Sequence, residues 1–387
     1  MGVGPGSVLI VGVSTRALAE SASRAGYSCA SIDAFGDLDQ KSRAQNVGLS
    51  RDMGRPYSAA AAVAAGRRVP AAAAAYVGNL ENHPAAVRRL ARGRRLWGNT
   101  PASLVRARDP AAVAEVVRRA EGRVPLTLLP DQAPRGPEGV RWLRKPRLGG
   151  GGSGVREWKP GARLGPHELV QERIEGVLAS VAFVADGRRA VLLGMSRGLA
   201  GDPAFGARGH RYCGSLYPFS ADPALLDRMS AIADAVTGAF GLVGLNGVDF
   251  VLRDGEPYVL EINPRYSASM ELIERSGRLS VFEAHVAACG GALPSEDATP
   301  VPEVLGKAVL YARRDVTVGD STRWLLQDLR DVPFPGDRIP RGHPVCTVFA
   351  RGADSVTCYS RLVAAASAVE RELEEGAACA GDDERRG

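Results

Sequence analysis

The chain has 387 residues, which exceeds one ordinary folded core and predicts two to three domains. Its hydrophobic content of 45% and charged content of 24% are typical of a globular protein, and no stretch is long enough to span a bilayer. The formal net charge is +6, but the arginines are dispersed and no basic run alternates with aromatic residues. Nucleic-acid binding is therefore not expected.

The six cysteines form no Cys-x-x-Cys pair and no zinc-like spacing, which predicts free thiols in a reducing compartment (Cys29, Cys213, Cys289, Cys346, Cys358 and Cys379). The amino terminus lacks a basic region, and the apolar run at residues 8–13 is too short for a signal core. We therefore expect a cytoplasmic protein with no membrane partner.

The first predicted elements are a buried strand at residues 8–13, a helix at residues 16–25 and a strand at residues 27–33 that ends in an acid. This strand–helix–strand order predicts a Rossmann-like unit. The sequence after Gly12 lacks the Gly-x-Gly-x-x-Gly fingerprint, so NAD is not expected. A turn at residues 99–101 is predicted to close this unit, and residues 109–120 are predicted to form the next helix.

The segment around Lys145 combines a lysine with the glycine run 149–152. Only four of the 49 basic residues are lysine, and lysine is a compact charge that suits a phosphate. Glycine N–H groups can wrap phosphate oxygens. A Walker A loop is excluded because Gly154 is followed by Val155 rather than by lysine. Taken alone, the segment is either a mobile loop that covers a phosphate group or a flexible linker.

Residues 168–176 are predicted to be a strand that ends in an exposed turn, followed by a strand at residues 179–184. Such a turn could hold the edge of a base above the apolar side chain of Ile174. Further along, the basic segment 208–215 could line the route of an anionic substrate through Arg208, His210 and Arg211. Residues 223–240 are predicted to be an amphipathic helix.

Residues 247–265 are predicted to be two strands joined by an Asp-Gly turn. Folding about this turn brings Asp249 opposite Glu261, and the period of two places Glu261, Asn263 and Arg265 on one face. Two carboxylates and an amide oxygen suit Mg²⁺, and phosphate oxygens of a substrate can complete the coordination shell of the ion. A solvated edge hairpin is the alternative.

The region after Lys307 contains short strands separated by proline and glycine turns, which predicts a β-rich C-terminal domain. A final helix is predicted at residues 360–374. Residues 381–387 are polar and are predicted to be disordered.

In this order and spacing, these segments resemble the ATP-grasp superfamily, in particular carboligase-like members related to biotin carboxylase. The resemblance implies an α/β ATP-grasp fold in four parts. These are a Rossmann-like pre-ATP-grasp domain, a lid subdomain with the glycine loop, a central subdomain with the metal site, and a β-rich C-terminal domain with a disordered tail (residues 1–100, 101–170, 171–300 and 301–387).

The resemblance also implies roles for individual residues. Lys145 would hold the ATP phosphates and act in catalysis, and Arg265 would stabilise the transferring phosphoryl group. The lid loop would be formed by Gly150, Gly151, Gly152 and Ser153, and the adenine hinge by Gln171, Glu172, Arg173 and Ile174. Glu261 would bridge two Mg²⁺ ions, and Asp249 and Asn263 would complete the metal sites. In relatives the first domain shapes part of the substrate cleft, so further candidate contacts are Ser14, Thr15, Arg16 and Asp33.

Two positions depart from the pattern of the relatives. Many have a second phosphate lysine where this chain has Arg106 and Arg108, so either arginine takes that role or the role is absent. Relatives often carry a ribose-binding glutamate where this chain has Leu178, and Glu175 is the nearest replacement.

The expected activity is ATP-dependent ligation of a carboxylate to an amine through an acyl-phosphate, with ADP and phosphate as products. An amino acid such as glutamate, joined to an amine in cofactor or small-metabolite biosynthesis, is the expected substrate class, and the resemblance implies a homodimer. The alternatives are carboxylation of the biotin-carboxylase type, although the chain has no Met-Lys-Met sequence, and a non-catalytic ATP-binding sensor.

Overall fold

The computed structural model describes residues 6–41, 44–132, 139–295 and 301–383, and only the backbone of residues 376–383. Among the helices in these ranges, none is both long enough and apolar enough to cross a membrane. The five cysteines with described side chains are all free, which confirms the prediction for them (Cys29, Cys213, Cys289, Cys346 and Cys358).

The amino-terminal part is a parallel sheet flanked by helices. Its elements are β1 (Ser7–Val11), α1 (Arg16–Arg24), β2 (Ser28–Asp33), α2 (Leu38–Lys41), β3 (Gln45–Gly48), α3 (Leu49–Met53), α4 (Ala59–Ala65), a 3₁₀ turn (Gly66–Arg68), β4 (Ala73–Tyr76), a 3₁₀ turn (Leu80–Asn82), α5 (Pro84–Leu90) and β5 (Arg95–Leu96). The strand order is β3-β2-β1-β4-β5, with all strands parallel. This arrangement confirms the Rossmann-like unit, and the two predicted strands and the helix lie within two residues of their expected ends.

The next part carries a small antiparallel sheet. Its elements are α6 (Pro101–Ala107), α7 (Pro110–Arg119), β6 (Thr127–Leu128), β7 (Trp142–Pro146), β8 (Arg156–Trp158) and β9 (Glu168–Glu172), with strand order β6-β9-β7-β8. Helix α7 begins where expected because the Asp109 carboxylate accepts a hydrogen bond from the N–H of Ala111 and proline occupies the first helical position.

The remaining elements build a seven-stranded antiparallel sheet with helices on its faces. They are β10 (Val177–Asp186), β11 (Ala190–Ala200), a 3₁₀ turn (Pro203–Phe205), β12 (Tyr212–Tyr217), α8 (Pro223–Phe240), β13 (Val243–Arg253), β14 (Glu256–Asn263), α9 (Met270–Arg275), α10 (Val281–Cys289), β15 (Val304–Tyr311), β16 (Val316–Thr317), a 3₁₀ turn (Thr322–Leu325), β17 (Arg338–Ile339), β18 (Pro344–Gly352) and α11 (Ser355–Asp383). The order in the large sheet is β14-β13-β10-β11-β12-β15-β18.

Helix α8 has the predicted bounds, because its ends carry strong signals. The Asp222 side chain caps its first turn by accepting from the N–H of Leu225 at 2.7 Å, and Gly241 follows it in the left-handed conformation. The final helix differs from the prediction: it begins at Ser355 rather than at residue 360 and continues to Asp383. The expected disorder is therefore wrong for residues 381–383, and residues 384–387 lie outside the described part.

Two sheets extend across the predicted domain boundaries. Strands β15 and β18 come from the predicted C-terminal domain but pair within the same sheet as β13 and β14. The boundary at residues 170 and 171 lies inside β9. The domain limits themselves stay predictions.

The parallel sheet is attached to the large sheet through an aromatic cluster. Tyr27, Trp97 and Phe282 pack edge to face, with ring centroids 5.0 to 5.9 Å apart. Phe282 lies on α10, and its neighbours in the same core include Val8 of β1 and Val184 of β10. This shared core attaches the parallel sheet to the large sheet, and at the carboxyl end of β4 the Tyr76 hydroxyl donates to the carbonyl of Pro264, directly after β14, at 3.3 Å.

Candidate functional site

The hairpin of β13 and β14 provides the acidic half of the site. Asp249 pairs directly with Glu261, as the sequence predicts, and an irregularity in register follows Asp249. The Asp254-Gly255 turn has positive φ at both residues, 53° and 77°, which is the hairpin geometry that Asp-Gly favours. The short turn therefore fixes the register that brings the two carboxylates together.

Asn263 and Arg265 extend this group of side chains. The Asn263 amide donates to the Asp249 carboxylate at 2.9 Å and accepts a hydrogen bond from the Arg265 guanidinium at 2.9 Å. The hydrogen bonds thus form a chain from Asp249 through Asn263 to Arg265.

The two carboxylates have different pKa values. Burial and the charge of Glu261 raise the pKa of Asp249 to about 6. Burial would also raise the pKa of Glu261, but Arg108 and Lys145 outweigh it and hold that pKa below its ordinary value. An additional cation between the two carboxylates would relieve their repulsion, and this is the electrostatic setting in which a divalent metal fits.

Arg265 is held by a residue that the sequence did not reveal. Its Nε atom donates to the Glu81 carboxylate at 2.7 Å, and the side chain of Glu81 is only 2% exposed. Burial would lower the pKa of Arg265, but Glu81 raises it above its ordinary value, so the guanidinium stays charged. No motif marks Glu81, because its partner lies far away in the sequence.

Of the two arginines considered for the second phosphate position, Arg108 lies at the carboxylates. Its Nη1 atom is 3.2 Å from the Glu261 carboxylate, and its Nε atom donates to the Asn82 side chain at 3.0 Å. Arg106 instead donates to the carbonyl of Ala239 and lies over the ring of Phe240. The geometry therefore favours Arg108.

Lys145 projects from β7 toward the acidic hairpin. Its Nζ atom donates to the Gln171 side chain at 3.0 Å, and Gln171 lies on the neighbouring strand β9. Gln171 in turn donates to the hydroxyl of Thr127 at 3.2 Å. The ammonium group of Lys145 is thus held by a chain of hydrogen bonds that runs through Gln171 to Thr127.

The glycine loop after β7 closes on the segment before β12. The N–H of Tyr212 donates to the carbonyl of Gly151 at 2.9 Å. A Cβ atom at Gly152 would lie 1.7 Å from the carbonyl oxygen of His210, so only glycine permits this approach. Asn82 also donates to the carbonyl of Leu148 at 3.2 Å. The loop is therefore in contact with two other parts of the chain.

The predicted hinge follows β9 directly. Ile174 is 8% exposed and offers an apolar surface. Glu172 accepts from the N–H of Leu126 at 3.1 Å, and Glu175 forms ion pairs with Arg141 and Arg173. The side chain of Glu175 is 62% exposed, so its ion pairs lie at the protein surface.

One cavity of about 430 Å³ joins these groups. The fourteen residues predicted for catalysis, ATP binding and metal binding all line it: Lys145, Gly150, Gly151, Gly152, Ser153, Gln171, Glu172, Arg173, Ile174, Glu175, Asp249, Glu261, Asn263 and Arg265. Their roles stay predictions, but the structure brings them to one place. The sequence did not point to several hydroxyl side chains that also line the cavity: Ser180, Tyr212, Ser215, Ser267 and Ser269.

The basic segment 208–215 divides between two cavities. His210 lines the cavity of the hairpin, and burial together with Arg173 lowers the pKa of its imidazole. Arg208 and Arg211 line a second cavity. Of the three residues expected to line the route of an anionic substrate, only His210 therefore lines the cavity of the hairpin.

Three of the four candidate contacts in the amino-terminal part are buried. Thr15 donates to Asp33 at 2.7 Å, and Arg16 donates to Glu271 at 2.7 Å. Thr15, Arg16 and Asp33 are at most 1% exposed. The expectation that these three contact a substrate is wrong, because their polar groups are buried against each other and against α9. Ser14 is exposed.

Residues 108–269 match the model of one protein family, the ATP-grasp domain. Formate-dependent phosphoribosylglycinamide formyltransferase of Rhodococcus jostii is 32% identical over 165 residues, which are 41% of this chain and 40% of that protein. An uncharacterised protein of Methanocaldococcus jannaschii is 28% identical over 142 residues, 36% of this chain and 34% of that protein. The chain therefore matches well under half the length of these curated relatives.

Solved structures resemble nearly the whole chain. Biotin carboxylase of Campylobacter jejuni has a TM-score of 0.69 at 16% identity, covering 92% of this chain and 89% of that one. L-amino acid ligase of Bacillus licheniformis has a TM-score of 0.66 at 14% identity, covering 97% and 98%. At these identities the likeness concerns the fold, which is the expected one.

Proposed function

Because residues 108–269 match the ATP-grasp domain, we propose that the chain is an ATP-dependent ligase that joins a carboxylate to an amine and releases ADP and phosphate. The observation that carries the proposal is the convergence in one cavity of Lys145, the glycine loop and the Asp249–Glu261 pair beside Arg265. Transfer of a phosphoryl group requires a cation that binds the phosphates, a loop whose backbone N–H groups cover them, and paired carboxylates.

ATP would lie with its base at the hinge of residues 171–175 and its phosphates between Lys145 and the glycine loop. Ile174 would supply the apolar surface under the base. Backbone N–H groups of the loop residues 150–153 would face the phosphate oxygens. Arg108, which lies between Glu261 and Asn82, would take the second phosphate position.

Magnesium would be held by Asp249, Glu261 and Asn263. The raised pKa of Asp249 supports this fit, because it reflects two crowded carboxylates. When bound, the metal would supply charge neutralisation at the phosphates.

The reaction would proceed in two steps within this cavity. An oxygen of the substrate carboxylate attacks the γ-phosphorus, the bond to the bridging oxygen breaks, and ADP leaves with the bonding electrons. The amine nitrogen then attacks the carbonyl carbon of the acyl-phosphate, loses a proton and displaces phosphate. Arg265, fixed by Glu81, would stabilise the charge on the transferring group. The glycine loop would exclude water from the acyl-phosphate.

An amino acid such as glutamate is the proposed acid, with an amine of cofactor or small-metabolite biosynthesis as the acceptor. A homodimer in the cytoplasm stays a prediction.

The direct test is ADP release by the purified chain with Mg-ATP across a panel of carboxylates, each with and without a panel of amines. The panel includes bicarbonate, so that carboxylation would also be detected. ADP formation that depends on one acid and one amine supports the ligase. Tight ATP binding without stimulation by any pair would contradict it and favour a nucleotide sensor.

A further inference from the structure

A second cavity of about 390 Å³ is lined by four arginines: Arg208, Arg211, Arg313 and Arg341. It lies between the loop of residues 201–211, which joins β11 to β12, and the residues where β15 ends and β18 begins. Small residues such as Ala207 and Gly342 complete its wall. It shares no lining residue with the cavity of about 430 Å³ that contains Lys145, Asp249 and Glu261, which is called the nucleotide cavity below because ATP is proposed to bind there.

The carboxylates near this cavity are already engaged. Asp202 accepts from the hydroxyl of Tyr359 at 2.8 Å and from the N–H of Ala204 at 2.9 Å. Glu370 pairs with Arg313 at 2.5 Å. One of the four guanidinium groups is therefore neutralised by an ion pair within the described residues.

The other three arginines have no carboxylate partner in the described part of the chain. Arg211 donates to the carbonyl of Gly342 and lies over the ring of Tyr311, 5.0 Å from its centroid. The guanidinium groups of Arg208 and Arg341 form no hydrogen bond or ion pair with any described residue. The Asp315 carboxylate lies beside Arg341, where it accepts from the backbone N–H at 2.8 Å. Among the described residues, the lining of the cavity thus gathers more guanidinium groups than carboxylates paired with them.

We propose that this arginine cavity binds the phosphate or carboxylate groups of a small anionic ligand, at a site additional to the nucleotide cavity. Guanidinium groups offer a planar pair of donors that matches the two oxygens of either group, and they stay charged at all accessible pH values. A bound anion would also relieve the mutual repulsion of the arginines. The volume far exceeds the roughly 30 Å³ of one water molecule, so there is room for a ligand.

The arginine cavity adjoins the nucleotide cavity through consecutive residues. Arg211 lines the former, whereas His210 and Tyr212 line the latter and contact the glycine loop. The Tyr311 hydroxyl also donates to the carbonyl of Tyr212 at 2.9 Å. The proposed site therefore lies behind the segment on which the glycine loop rests.

The test is calorimetric titration of the full chain with inorganic phosphate and, separately, with citrate, at constant ionic strength and with the nucleotide cavity kept saturated with ADP. The variant is the double substitution Arg208→Gln and Arg341→Gln, which removes the two guanidinium groups without a side-chain partner and so breaks no described contact. We expect the anion affinity to fall by about tenfold for each guanidinium removed. The affinity for ADP should be unchanged. Loss with both anions means that either group is accepted, and loss with one identifies the preferred group.

Two controls make the result decisive. The double substitution Arg118→Gln and Arg188→Gln changes the net charge equally at exposed positions that line neither cavity, and it should leave anion binding intact. Lys145→Ala should also leave it intact, because Lys145 belongs to the nucleotide cavity. No binding of either anion to the wild type, an unchanged affinity in the Arg208 and Arg341 variant, or equal loss in either control would overturn the proposal. None of these outcomes bears on ADP binding, so the ligase proposal is judged separately.

Discussion

Two groups of buried charges lie on the same side of the large sheet, and they differ in what they face. In the first, the interdomain cluster, Arg16 of α1 pairs with Glu271 of α9 and with Asp331, and Lys307 of β15 pairs with the same Glu271. The second, the cavity cluster, contains Asp249, Glu261, Lys145, Arg108 and Arg265. Both mix acids with bases, and the second lines the cavity of about 430 Å³.

The interdomain cluster is complete in itself. The guanidinium of Arg16 binds both oxygens of Glu271, at 2.7 and 3.0 Å, and Lys307 donates to the same carboxylate at 2.6 Å. Burial would raise the pKa of Glu271, but Arg16 and Lys307 hold it well below its ordinary value. The pKa of Asp39, beside Arg16 in this cluster, is raised to about 6 by burial and Asp331, as the pKa of Asp249 is raised to about 6 in the cavity cluster, so the raised pKa does not separate the two clusters. Ion pairs buried between α1, α9 and β15 indicate a role in joining parts of the fold, whereas charged groups that line a cavity indicate a site for a ligand.

The largest predicted effect separates the clusters by activity. Glu261→Gln should reduce ligase turnover by about a thousandfold or more, because it removes the carboxylate proposed to be shared by the metal ions. Unfolding in denaturant should change little, since the substitution also relieves repulsion of Asp249. Turnover is measured as ADP release with the identified substrates. A near-normal rate would contradict the metal assignment.

The matched substitution in the interdomain cluster, Glu271→Gln, should act on stability instead. It leaves Arg16 and Lys307 buried with one carboxylate fewer, which is expected to cost about 3–5 kcal/mol of unfolding free energy. Denaturant unfolding measures the loss, and ADP affinity of the folded fraction should stay near that of the wild type. Normal stability combined with lost ADP binding would show that the two clusters are not distinct in role.

Lys145→Ala should weaken ATP binding by about ten- to a hundredfold, because one charge-assisted phosphate contact is lost. Calorimetry at fixed Mg²⁺ measures the affinity. Lys159→Ala is the control: it removes another of the four lysines, at an exposed position outside the cavity. Equal affinity in the Lys145 and Lys159 variants would exclude the phosphate role.

The pH dependence of metal binding should follow Asp249. Because its pKa is raised to about 6 by burial and Glu261, the metal-free site holds a proton below that pH and must release it to bind Mg²⁺. The apparent Mg²⁺ affinity should therefore fall as the pH is lowered through about 6. Asp249→Asn should bind more weakly at every pH but lose this dependence. A slope that persists in the variant would place the titrating group elsewhere.

The sequence predicted those parts of the site that depend on local chemistry. The pairing of Asp249 with Glu261 follows from a two-residue turn, and the position of Lys145 follows from its neighbouring glycines. Contacts between distant segments could not be predicted from the sequence: Glu81 and Arg265 form an ion pair although they are 184 positions apart, and Arg16 and Asp331 do so at 315 positions apart. Arg16 was misassigned for this reason, since a basic residue after a strand suggests a ligand contact until its buried partners are known.

The smallest predicted effect tests the choice between the neighbouring arginines. Arg108 lies within 3.2 Å of Glu261, so Arg108→Gln should weaken Mg-ATP binding by about tenfold, through loss of one phosphate contact. Arg106 donates to Ala239 instead, so Arg106→Gln should leave that affinity unchanged while removing the same charge from the same helix end. Equal effects in the two variants would mean that the contribution is only general positive charge, and an effect in Arg106→Gln alone would reverse the assignment. If the Arg108→Gln and Lys145→Ala double variant weakens binding by less than the product of the two single effects, the two cations act on one bound phosphate group, which is the arrangement proposed for the cavity cluster.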